Sequence, residues 1–166
     1  PEEEKQRRNK DRKLLILSGL MFGLSFSPMP FPLTIFFFLV PLLIVLENRT
    51  TGKRIYAAYY LMLFSASAVS VYWVGGFTVM KDPFLMISGF LLFFVNPFFL
   101  SVQVPLYILS KKYLGHKISF WLIPVFWTFN DYLYMFTDFS FPWISVGNAS
   151  ANFNSFIQIA DMVGSL

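Results

Sequence analysis

A chain of 166 residues in which 56% are hydrophobic, 20% aromatic and only 13% charged carries about half the charge of a water-soluble domain. It has too little polar surface to cover a globule in water, so lipid is the expected solvent for its exterior. The net charge of +4 does not point to nucleic acid, which would need a soluble scaffold, and the absence of cysteine excludes disulfides, thiolate zinc sites and a Cys nucleophile within these residues.

In chain order, apolar segments are predicted at Leu14 to Phe26, Leu33 to Leu46, Tyr56 to Phe77, Phe84 to Leu109 and Ile118 to Phe136, with a last one starting near Phe156. The pattern predicts an all-α, polytopic transmembrane bundle of five helices and the start of a sixth. Residues 1–13 form a basic cytoplasmic arm, and residues 14–166 the transmembrane domain, cut short at its C-terminal end. Both termini read as cuts, since the chain begins with Pro1 and Ile157 to Leu166 stops part-way into an apolar run. The thirteen Lys and Arg fall as six in Lys5 to Lys13, three in Arg49 to Arg54, three in Lys111 to Lys117, and Lys81 alone. An inside N-terminus then puts twelve of them on the cytoplasmic side, as the positive-inside bias requires.

The first two segments are short for a ~30 Å hydrocarbon core, and Pro28, Pro30 and Pro32 force a turn between them. Two spans and a re-entrant hairpin are both open readings. A signal peptide over Lys5 to Phe26 lacks a small-x-small cleavage site, so a retained helix is expected. In the third segment Ser65, Ala66, Ser67, Ala68 and Ser70 permit close helix approach and predict a central position; Tyr72 and Trp73 end it at headgroup level. Pro97 and Pro105 predict a kink in the fourth, where the amides of Asn96 and Gln103 are placed to satisfy freed carbonyls. The lone His116 reads as a solvated loop residue, and no metal site is expected. Asn48-Arg49-Thr50 and Asn148-Ala149-Ser150 match the weak glycosylation pattern.

Asp131, beside Asn130 in the fifth segment, costs about 2.5–3.5 kcal/mol at lipid depth unless it faces partners or water, so it is expected to point inward. Beyond it the outer loop, Thr137 to Ser155, has no Lys or Arg and carries Phe141-Pro142-Trp143 and Gly147-Asn148, and Gln158, Asp161 and Gly164 follow in the next apolar segment. Phe141-Pro142-Trp143 makes a rigid turn presenting an indole at the bilayer surface, where an ordinary interfacial anchor is the bland alternative.

This order resembles the membrane domain of apolipoprotein N-acyltransferases. The resemblance runs over Leu14 to Leu166. It includes Leu24 to Pro28 at the end of the first helix, an aromatic-Trp step (Tyr72-Trp73) ending the third, and Trp127-x-x-x-Asp131-x-Leu133 in the fifth. The family normally has Glu with a following Arg where this chain has Asp131 and Tyr134, so Tyr hydroxyls or a protonated carboxyl replace an ion pair. A structural hydrogen bond from Asp131 is favoured over substrate contact, with Asn130 and Asn96 as further structural polar groups. The resemblance implies an enzyme of the bacterial inner membrane, multi-pass with its N-terminus cytoplasmic. Such an enzyme moves an acyl chain from a phospholipid to the amine of an N-terminal diacylglyceryl-cysteine on a lipoprotein. It implies no cofactor, and a nitrilase-like domain, absent from these residues, that carries all catalytic groups, so this chain alone is expected to be inactive. Phe141, Pro142, Trp143, Trp73 and Asn148 become the candidates for lipid or acyl-substrate contact. From a different class, a small polytopic carrier or channel built on Asp131, Asn96, Gln103 and Asn130, or a non-catalytic scaffold, is the alternative.

Overall fold

The computed structural model describes residues 2–26, 31–76, 82–137, 142–149 and 158, and among them all regular structure is helical. Seven α-helices follow in order: α1 (Glu2–Gly23), α2 (Leu39–Glu47), α3 (Gly52–Ser70), α4 (Pro83–Leu100), α5 (Val104–Tyr113), α6 (Gly115–Met135) and the four-residue α7 (Val146–Ala149). The predicted sixth span lies outside the described residues apart from Gln158, which is helical.

Several boundaries depart from the predicted segments for identifiable reasons. Helix α1 does not begin at Leu14 but runs through the basic arm, because Glu2, Glu3 and Glu4 face the positive end of the helix dipole and the arm is rich in good helix formers. The second segment splits into a 3-10 turn (Pro32–Phe36) and the short α2. The fourth breaks at a 3-10 turn, Ser101–Gln103, between Pro97 and Pro105, as the prolines predict. Of the two amides expected to satisfy freed carbonyls, only Gln103 does so, donating to the Leu100 carbonyl at 3.4 Å, while Ser101 Oγ donates to that of Pro97 at 2.6 Å. Asn96 instead crosses to α3 and donates to Ser67 Oγ at 3.1 Å. His116 sits in the first turn of α6, not in a loop, because Gly115 takes a left-handed φ of 82° and reverses the chain within one residue of α5.

One described stretch, Pro83–Tyr113, is long and apolar enough to cross a membrane, and only 28% of its most apolar window is buried. The other predicted spans do not pass that test alone: α2 is short, α3 carries Lys53 and Arg54, and α6 carries Lys117 and Asp131.

Helix α3 touches α1, α2, α4 and α5, the central position its small residues predict. Its tightest contact is with α1, through Gly19 and Gly23 one turn apart. A β-carbon at Gly19 would collide with the Met62 carbonyl oxygen and come within 2.7 Å of Ser65 Cβ; at Gly23 it would meet the Ala66 carbonyl oxygen at 2.6 Å. Small-xxx-small spacing lets the two helix backbones approach closely. Beside this seam Phe22 stacks on Phe38 at 4.5 Å between ring centroids, and the Trp127 indole stands edge-on to both at 5.3 Å, joining α1, the approach to α2, and α6.

The basic clusters meet at one end of the molecule. Arg49 pairs with Asp11 of α1 at 3.2 Å and donates to the Arg54 carbonyl at 2.9 Å. Lys111 of α5 donates to the carbonyls of Leu46 and Arg49, at 2.9 and 2.7 Å. A cation there satisfies orphan carbonyls and complements the negative end of the α2 dipole. Lys111→Met keeps the apolar stem and removes both bonds, and is expected to cost about 1–2 kcal/mol, read as a lowered unfolding midpoint in detergent.

Candidate functional site

The end of the bundle remote from the basic clusters is set by helix length: α3 starts beside Lys53 and Arg54 and its 19 residues rise about 28 Å before Ser70. Trp73 follows in a 3-10 turn, Tyr72–Gly75. Its ring N–H donates to the Ser70 carbonyl at 3.0 Å, fixing the indole against the end of α3. The Gly75 backbone there is crossed by α4 at Gly89, where a β-carbon would collide with it.

Helix α6 reaches the same end from Gly115. Its inner face carries Ser119, Ile123, Trp127, Asn130 and Asp131, a helical spacing that turns each polar group away from the outside. Asp131 is 6% exposed, pointing inward as expected. Its described partners are not the tyrosine hydroxyls that were one of the expected solutions. Instead Oδ2 accepts from Ser145 Oγ at 3.3 Å, in the loop beyond the helix, and from the backbone N–H of Val146, the first residue of α7, at 3.4 Å. Asn130 Nδ2 and Trp127 Nε1 are buried without a hydrogen-bond partner among the described residues.

The loop so tied carries Trp143, in the 3-10 turn Pro142–Ile144. Ile144 and Ala149 are buried on either side of the Asp131 contact, and α7 rests on the turn Pro32–Phe36. Trp143 is thereby brought to Trp73: the ring centroids are 5.3 Å apart with planes at 64°, an edge-to-face pair, and each indole remains 41% exposed. Among the sequence-derived candidates, the structure thus joins Trp73 and Trp143. Asn148 lies exposed on α7, with its backbone N–H donating to the Ser145 carbonyl at 3.0 Å. Phe141 falls outside the described residues, and Asn96 belongs to the α3–α4 contact. Ser145 is the residue that sequence reasoning missed; its only signal is a hydroxyl two residues after the Pro-Trp step.

Chemically, the paired indoles offer an apolar surface with polar edges at the rim of the bundle, suited to seating a hydrocarbon chain. They supply neither nucleophile nor general base, and Asp131 is engaged behind them. No group of three or more His, Cys, Asp or Glu that could hold a metal is present among the described residues.

Comparison with known proteins converges on one family. Residues 18–166 match the family described as apolipoprotein N-acyltransferase N-terminal domain. The chain is 30% identical over 155 residues to the apolipoprotein N-acyltransferase of Chlorobaculum tepidum, an alignment covering 91% of this chain and 28% of that protein. No solved structure matches it significantly. A match that takes in α2 to α7 and most of the apolar part of α1 places this chain in the apolipoprotein N-acyltransferase family, as its N-terminal domain.

Proposed function

We propose that this chain is the membrane part of an enzyme that acylates the N-terminal diacylglyceryl-cysteine of lipoproteins. It would lie as a multi-pass unit in the bacterial inner membrane, with the basic arm and basic end cytoplasmic. In the reaction the cysteine amine nitrogen ends bonded to the acyl carbon that the phospholipid ester releases, leaving a lysophospholipid. The nucleophile that carries the acyl group between them would belong to the nitrilase-like domain of the parent protein that the family resemblance implies. The role of the helical part is to hold that domain at the outer surface and admit the acyl donor and the lipoprotein acceptor from the bilayer.

The observation that carries this reading is the Trp73–Trp143 pair, exposed at the end of the bundle away from the basic clusters and backed by a buried carboxylate that ties its loop down. The carrier alternative has no comparable support: Asn96 is spent on a helix–helix contact and Asp131 on a loop. In the full-length enzyme, Trp143→Ala is expected to lower the rate of acyl transfer from a labelled phospholipid to a diacylglyceryl peptide about tenfold or more, with Trp143→Phe between the two. An unchanged rate at equal protein level would remove Trp143 from lipid handling.

A further inference from the structure

The outward face of α1 carries an open groove of about 430 Å³, lined by Gln6, Asn9, Lys10, Lys13, Leu14 and Leu17. Their spacing places them on the side turned away from Leu15, Ser18, Gly19 and Phe22, which are buried against the bundle. Along this one stripe the chemistry changes abruptly. Two amides and two ammonium groups stand above, and from Leu14 downward the lining is aliphatic, with Leu17 48% exposed. The change falls beside Asp11 and Arg49, at the basic end. Because α1 is continuous from Glu2 to Gly23, the groove crosses this boundary on a rigid rod and not on a loose arm.

We propose that this groove seats one anionic phospholipid of the leaflet at the basic end, its phosphate between Lys10 and Lys13, its polar headgroup against Gln6 and Asn9, and one acyl chain along Leu14 and Leu17. Charge complementarity selects the occupant: two cations with hydrogen-bonding amides match a phosphodiester, and the leucines beneath match the chain attached to it. The inference rests on the multi-pass membrane reading above, and concerns the leaflet opposite the indole pair.

The test is native mass spectrometry of the protein taken from nanodiscs of phosphatidylglycerol and phosphatidylethanolamine in equal parts. One phosphatidylglycerol is expected to stay bound per protein. Lys10→Gln with Lys13→Gln should weaken its retention about thirtyfold at two near-surface cations, with an unchanged unfolding midpoint. Lys5→Gln with Arg8→Gln removes the same charge from other faces of α1 and should leave retention intact. Equal loss in the two double variants would reduce the effect to diffuse attraction and overturn the site, as would equal retention of phosphatidylethanolamine. Extraction of the membranes with alkaline carbonate separates the two levels. A protein that stays in the membrane but holds no lipid sinks the groove alone, whereas a protein released by carbonate sinks the membrane reading and the groove with it.

Discussion

Replacing Gly19 and Gly23 together by leucine is expected to abolish the folded state, and either single change to cost about 3 kcal/mol or more. The reason is what stands opposite. At both positions a β-carbon runs into backbone carbonyl oxygens of α3, from Met62 and Ala66, and backbone cannot rotate aside as a side chain can. The two helices must then separate, which uncovers Met62, Leu63 and Ala66, all now fully buried, and breaks the stack of Phe22 on Phe38. Leu20, on the outer face of the same turn and 37% exposed, is the control. Leu20→Ala should leave a monodisperse protein in detergent with little change in unfolding midpoint. If Gly23→Leu behaved the same way, the α1–α3 seam would not be the contact described.

The second large effect is expected at Asp131. Asp131→Leu leaves the Ser145 hydroxyl and the Val146 N–H without their acceptor beneath a loop anchored by the buried Ile144 and Ala149, and should cost about 2–4 kcal/mol. Asp131→Asn keeps a carbonyl oxygen in place and should cost much less. The distinguishing readout is local. Limited proteolysis should cut Asp131→Leu in the 142–149 segment well before the bundle opens, and the near contact of the two indoles should be lost with it, visible as a change in tryptophan emission. Equal protease resistance in the leucine variant would show that the loop holds without the carboxylate.

The helical class and the gathering of cations at one end were legible because hydropathy and charge are properties of composition, and Arg49 and Lys111 meet where their clusters predict. The break in the fourth segment was legible too, since Pro97 and Pro105 act through their own rings. The start of α1 at Glu2 was not: hydropathy sees charged residues as a tail, although Glu, Lys, Arg and Gln are good helix formers. The Gly19–Gly23 spacing stood in the sequence, but its meaning depends on which helix lies opposite. At the candidate site, the inward aim of Asp131 follows from the cost of burying a charge, whereas its choice of Ser145 and Val146 depends on how an irregular loop folds back. For the same reason the pairing of Trp73 with Trp143 could not be read from two residues seventy positions apart.

The bond from Lys111 to the end of α2 has a consequence for the order of assembly. It joins groups 65 and 62 residues apart in the chain. The residues of the α2–α3 corner are therefore translated well before the lysine that bonds to them. The other ties of the corner come from upstream and from within, Arg49 reaching Asp11 and the Arg54 carbonyl, and the α1–α3 seam at Gly19 and Gly23 likewise uses no residue beyond α3. These contacts among the first three helices are complete within the chain up to Ser70, whereas the Lys111 bonds need the later α5 to be in place.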